Sequence, residues 1–169
     1  MPPPCSITWQ GLDSTRAIAR AKRLAERGLS LSREVGDRQG ISHALYILAM
    51  MAQAERDHEQ ARGLFEEGLK LSAEVGNETN VAHYLEGLAA LAASEGKVVR
   101  AARLWGAAEA LFETIEVAAS PYAPDRSHYQ SQIGAVRTQL GEEAFEAAWA
   151  EGKTMSPEWA VEYALATEE

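Results

Sequence analysis

The sequence predicts an all-α fold built from repeated helical hairpins. Alanine and leucine dominate the 169 residues and β-branched residues are sparse, which favours helix over sheet. Residues 28–36 read GLSLSREVG and residues 68–76 read GLKLSAEVG, so seven of nine positions recur after 40 residues. A segment that recurs at such a period indicates stacked copies of one supersecondary unit.

Helix signals divide the repeated part of the chain into five segments. Asp13 or Ser14 can cap a first helix, Asp37, Asp57 and Asn77 can cap the next three, and Gly96 separates the fourth from the fifth. The apolar residues within each segment follow helical spacing. The predicted helices cover residues 14–35, 38–55, 58–76, 78–95 and 97–117.

The C-terminal part does not continue the repeat. Residues 117–124, VAASPYAP, predict a linker, because they contain two prolines. Helices are predicted over 125–140 with Asp125 as its cap, over 142–152, and after Ser156 with Pro157 in the first turn. The predicted organisation is a Pro-rich leader at 1–12, repeats at 13–117 (a half repeat at 13–36 and repeats at 37–76 and 77–117), and a helical cap at 118–169.

Superposition at the 40-residue offset supports this division. Small residues align at Ala21, Ala61 and Ala101, and leucines align at Leu24, Leu64 and Leu104. Small residues at fixed places allow close approach of helices, and larger residues between them fill the grooves. Three of the four tryptophans, Trp105, Trp149 and Trp159, are predicted to lie in the core.

The stretch ERDHEQARGLFEEGLKL, residues 55–71, resembles the second helix of a tetratricopeptide repeat. The small–aromatic–small triad of that family falls on Ala61, Phe65 and Gly68, and again on Ala101, Trp105 and Ala108. The family's usual repeat is about 34 residues, whereas this one is 40 and lacks the closing proline. The resemblance implies a right-handed superhelix of antiparallel hairpins with longer helices and a changed stacking angle.

The segments ARLWGAAEALFE and LGEEAFEAAWAEGKTMSPEWAVEYAL look like the C-terminal region of LuxR-type (MalT-like) ATP-dependent transcription activators of bacteria. In that family, helical repeats sense an inducer or a partner, while other domains hydrolyse ATP and bind DNA. The sequence has no Gly-rich GK[ST] loop, so it offers no phosphate cradle of that kind.

Charge and composition exclude several classes of function. The net charge is −9, and residues 141–169 contribute eight acidic side chains against one basic, so direct nucleic-acid binding is not expected. Cys5 is the single cysteine, which excludes an internal disulfide and fits a reducing compartment. With neither a signal-peptide pattern nor a long apolar run, we expect a cytoplasmic protein without a membrane segment.

The family resemblance implies a groove lined by one face of each hairpin's first helix. In this sequence that face carries His43, Tyr46, Met50 and Gln53 in one hairpin and His83, Glu86, Ala90 and Ala93 in the next. All of these except the two alanines form the predicted set of six binding residues. Such a mixed polar, aromatic and methionine surface suits a peptide or helix partner, or a small-molecule inducer. The alternative is that Tyr46 and Met50 are covered by other parts of the same chain.

No catalytic, metal or cofactor site is expected. His43 and His83 stand 40 residues apart, but no HxxxH or CxxC spacing supplies further metal ligands. No nucleophile motif such as GxSxG occurs, so the sequence predicts a non-enzymatic protein.

The predicted helix 14–35 matches the second helix of a hairpin, yet residues 1–12 do not predict a first helix for it. Its outer edge therefore lacks the neighbour that every interior unit has. Either the chain is a C-terminal piece of a longer solenoid or this edge meets another protein, and we expect a homodimer or a leader-covered edge at helix 14–35. Two hypotheses for function follow: a sensor module of a bacterial regulator that binds in the groove, or a free-standing adaptor that oligomerises through helix 14–35.

Overall fold

The computed structural model describes residues 9–115 and 127–166, with side chains described for 16–115 and 129–166. Within these residues the chain forms α-helices and no strands, which confirms the all-α prediction. The helices are α1 Trp9–Val35, α2 Arg38–Ala54, α3 His58–Glu74, α4 Glu78–Ser94, α5 Val98–Thr114, α6 Ser127–Leu140, α7 Glu142–Lys153 and α8 Pro157–Leu165.

Four helices begin where a capping side chain predicts. The side chains of Asp37, Asp57 and Asn77 each accept a hydrogen bond at 3.0 Å from the backbone N–H three residues further on. Ser156 caps α8 in the same way, with Pro157 in the first turn. These bonds satisfy backbone donors that have no partner inside the helix.

The first helix begins earlier than predicted. It starts at Trp9 and not at residue 14, so Asp13 and Ser14 lie inside it and do not cap it. The reason is that the prolines of the leader stand at positions 2–4, and no proline lies between Trp9 and Val35 to stop the helix. The predicted linker at 117–124 and the cap Asp125 lie outside the described residues.

The short loops between α1 and α5 place consecutive helices side by side. We call α2 and α4 the A helices and α1, α3 and α5 the B helices; α2 packs between α1 and α3, and α4 packs between α3 and α5. This arrangement agrees with a helical repeat. No helix in the described part of the chain is both long and apolar enough to cross a membrane.

The last three helices close the array. The α7 helix packs along α5, α6 contacts α4, α5 and α7, and α8 contacts α3, α4 and α5. At the crossing of α5 and α7, Gly106 lies against the backbone of Trp149, and Gly152 lies against the backbone of Arg103. A side chain at either glycine would overlap the facing backbone, so the cap sits closer to α5 than larger residues would allow.

The core lies between the A and B helices and extends under the cap. Phe65, Leu85 and Leu104 are fully buried, as the repeat predicts. Trp105 is buried, and the half-buried Trp149 donates a hydrogen bond from Nε1 to Glu109 at 2.7 Å. The prediction for Trp159 is wrong, because this residue is 51% exposed. Its helix, α8, is short and turns Ala160 and Ala164 toward the core instead.

Candidate functional site

The A helices present equivalent residues to a common groove. Met50 and Gln53 lie one turn apart on α2, and Ala90 and Ala93 stand 40 residues later at the corresponding positions of α4. Together with α6 these four residues line a cleft of about 560 Å³, which we call the A-helix cleft. The predicted groove face is therefore partly open.

The other half of the groove is covered by α6. The Tyr46 hydroxyl lies 3.5 Å from the Tyr129 hydroxyl, which in turn is 3.6 Å from Sδ of Met50. Tyr129 is buried, and so is Val136 two turns further along α6. Tyr46 and part of Met50 are thus in contact with a helix of the same chain.

Tyr46 also joins an aromatic cluster beneath α6. Its ring meets those of Phe65 and Tyr84 edge-to-face, with centroid distances of 6.2 Å and 5.6 Å. His83 lies 6.1 Å from Tyr46 and 4.9 Å from Phe112, again measured between ring centroids. These contacts rigidify the covered half of the groove.

Glu86 is a buried carboxylate in this region, with an exposure of 2%. Its Oε2 lies 3.6 Å from Nδ1 of His83, one turn away on the same helix. This distance is longer than that of a normal hydrogen bond. Neither of them lines the A-helix cleft.

His43 is separate from the other predicted site residues. It is exposed and lines a shallow depression with Asp37 and Asn80 near the start of α2. The six predicted residues therefore fall into three environments: Met50 and Gln53 in the open cleft, Tyr46, His83 and Glu86 in the covered half, and His43 at the surface.

The A-helix cleft has an apolar floor and a polar rim. Its floor consists of Met50, Ala90, Ala93 and Val136. The rim carries the amides of Gln53, Gln132 and Gln139, the guanidinium of Arg56, and His58, whose Nδ1 lies 3.3 Å from the Ser94 hydroxyl. Among the described residues that line the cleft, none is acidic.

This lining can bind a ligand that combines three chemical groups. Amides can donate to and accept from a peptide-like group, a guanidinium binds carboxylates, and the floor accepts a small apolar group. A ligand with a carboxylate, an amide and a short aliphatic side chain matches all three.

Sequence reasoning missed the contribution of α6. Gln132, Ala135, Val136 and Gln139 follow i, i+3, i+4, i+7 spacing and therefore share one helical face. Glutamines on an otherwise small and apolar face are a signal of a polar contact surface. Nothing in the sequence, however, places that face against the A helices.

Comparisons of the chain with protein-family models, curated proteins and solved structures find no match. The tetratricopeptide and LuxR-type resemblances therefore stay predictions. In the part of the chain that the structure describes, no three His, Cys, Asp or Glu side chains are grouped so that they could hold a metal ion.

Proposed function

We propose that this protein is a non-catalytic binding module of the tetratricopeptide type, which takes a partner segment or a small inducer in the A-helix cleft. One observation carries the proposal: α6 covers half of the groove but leaves a cleft of about 560 Å³ with a polar rim and an apolar floor. A cleft of this size and lining is typical of sites for small ligands or a few peptide residues.

The resemblance to LuxR-type activators supports a more specific role, as the sensor region of a bacterial transcription regulator. In this role, occupancy of the cleft would move α6 relative to α2 and α4. An in-frame ATPase or DNA-binding region upstream in the gene would support this assignment.

The test uses N-acetylated amino acids and dipeptides with a free carboxylate, each paired with its amidated form, and measures binding by isothermal calorimetry. Ala93→Phe fills the cleft, and Ala73→Phe is the matched control on the exposed side of α3. We expect the first variant to weaken binding by at least about tenfold through steric exclusion, with the control unchanged. Arg56→Gln should reduce the preference for the free carboxylate.

Two results would contradict the proposal. One is that no member of the panel binds, and the other is that Ala93→Phe binds as well as the control. Circular dichroism on both variants separates lost binding from lost folding.

A second candidate function is an adaptor that joins another chain through α1. It is favoured by a specific observation: Leu24 and Leu31 on this helix are 61% and 51% exposed. A homodimer through α1 is the form of this candidate that the sequence analysis predicted, and sedimentation equilibrium of the purified chain tests it.

A further inference from the structure

The outer side of α1 carries an apolar stripe that nothing in the described structure covers. Leu24, Leu31 and Val35 are 61%, 51% and 77% exposed. At 100° per residue they fall on one face of the helix, together with Ala17 and Ala21. The buried Leu29 points away from this face, toward α2. We call Ala17, Ala21, Leu24, Leu31 and Val35 the α1 stripe.

The equivalent residues on α3 and α5 show what kind of element packs against such a surface. The equivalents of the exposed Leu24 are Leu64, which is half-buried against Leu45 and Leu48 of α2, and Leu104, which is fully buried. The equivalents of the exposed Ala21 are Ala61 and Ala101, both fully buried. The two B helices that carry these residues, α3 and α5, each pack against the A helix of the same hairpin, α2 and α4 respectively.

The charges beside the stripe restrict the partner. Arg16, Arg20, Arg23 and Arg27 are all exposed and follow three- and four-residue spacing along one margin of the stripe. Antiparallel pairing of two α1 helices would bring both arginine margins to the same side of the interface, where like charges repel. A second copy of α1 in antiparallel orientation is therefore a poor partner, and a helix with acidic residues along its margin is a good one.

We propose that the α1 stripe docks an amphipathic helix of the A-helix type, with leucine and alanine on its contact face and acidic residues at its margin. The proposal rests on the adaptor function and names its partner. The α4 segment of this chain has the required chemistry, since residues 77–96 contain three glutamates and no lysine or arginine. In the structure, the α4 helix packs against the B helix α5 of its own hairpin.

The test uses the full chain and a fluorescent, N-acetylated and C-amidated peptide with the sequence of residues 77–96, followed by fluorescence anisotropy. The double variant Leu24→Ser/Leu31→Ser removes the exposed leucines, and Val99→Ser is the matched control at another exposed apolar position. We expect the double variant to weaken peptide binding by at least about tenfold, and the control to bind as the parent chain does.

A second variant pair tests the charge. Arg20→Glu/Arg27→Glu should weaken binding by about fivefold or more at low ionic strength, and this difference should shrink with added salt. Both leucines and both arginines are exposed, so these variants are expected to fold, and circular dichroism checks it.

Three results would overturn the proposal: no binding at about 1 mM peptide, equal binding by the leucine double variant, or tighter binding after arginine reversal. Sedimentation equilibrium separates these failures from failure of the adaptor function. A dimer abolished by Leu24→Ser/Leu31→Ser would retain the adaptor function but identify a second copy as the partner. If neither the dimer nor peptide binding is found, both proposals fail.

Discussion

Tyr84 is fixed through both its hydroxyl group and its ring. Its hydroxyl donates a hydrogen bond to the backbone carbonyl of Ser42 at 2.5 Å, and its ring lies directly against Gly68. Ser42 is also within 2.9 Å of the Ser72 hydroxyl, so three helices meet at this buried polar group. Burial raises the pKa of the Tyr84 hydroxyl, which keeps it a neutral donor.

We predict that Gly68→Ala lowers the free energy of unfolding by about 2 kcal/mol, since the added methyl group overlaps the Tyr84 ring and the hydroxyl must leave Ser42. In Gly63→Ala, on the same helix, the added methyl group has no neighbouring atom within 4 Å. This variant should raise the free energy of unfolding by about 0.5–1 kcal/mol through helix propensity. Urea unfolding of both variants measures the difference. Equal effects would show that Tyr84 can move without cost.

Arg56 occupies a backbone conformation that suits glycine. Its φ is 62°, and it ends α2 where Gly96, 40 residues later, ends α4 with a φ of 78°. The backbone N–H of the next residue, Asp57, donates to the carbonyl of Ala52 at 2.9 Å, so the turn is fixed by hydrogen bonds. A residue with a Cβ is strained in this region.

We predict that Arg56→Gly raises the free energy of unfolding by about 1 kcal/mol, because the strain is removed while the turn is kept. The reciprocal change Gly96→Arg should lower it by a similar amount. Thermal unfolding without ligand measures both. A destabilised Arg56→Gly variant would mean that the arginine side chain contributes more than its backbone conformation costs.

At the residue scale, the sequence predicted features that depend on near neighbours. The caps at Asp37, Asp57, Asn77 and Ser156 were predictable, because a capping bond joins residues three positions apart. The exposure of Trp159 was not predictable, because it depends on how α8 is rotated against helices that are distant in the sequence.

Between elements, the repeat contains an ion pair that recurs with it. Lys22 on α1 lies 2.8 Å from Glu55 in the loop after α2, and Arg62 on α3 lies 2.6 Å from Glu95 in the loop after α4. Both members of the second pair stand 40 residues after those of the first. Each pair joins a B helix to the far end of the next A helix, and so favours one stacking register over others.

The second pair predicts a pH dependence. Burial alone would raise the pKa of Glu95, but hydrogen bonds and charges from Arg62 and Lys97 outweigh it, so the pKa is lowered. A lowered pKa contributes stability that is present above the unfolded value of about 4.3 and is lost as pH falls through the folded value.

We predict that Arg62→Met reduces stability at pH 7 by less than about 1 kcal/mol, because the pair is partly exposed, and that the difference disappears near pH 3. Lys70→Met, an exposed cation on the same helix, is the control and should show no comparable loss at pH 7. Denaturant unfolding between these pH values measures the effect. A constant difference at all pH values would exclude the carboxylate as its source.

Across the whole molecule, the repeated part was predictable and the position of the cap was not. The 40-residue spacing between Leu45 and Leu85, which are both fully buried, reflects a periodic environment that a sequence records directly. The helix α6 lies outside the repeat, and its contact with Tyr46 joins residues 83 positions apart. Periodicity shows that α6 has an apolar face but not which helices that face packs against. The sequence therefore predicted the groove and left open whether α6 covers it.

The recurring ion pair has a consequence for the length of the array. Because α1 and α3 offer equivalent basic residues, and α2 and α4 end in equivalent glutamates, the junction between α1 and α2 repeats at the junction between α3 and α4. A second copy of residues 37–76 inserted after residue 36 would meet matching surfaces on both sides. The insertion would leave α6 and α8 with the neighbours they now have. We therefore expect a chain lengthened by one whole repeat at this position to keep its fold.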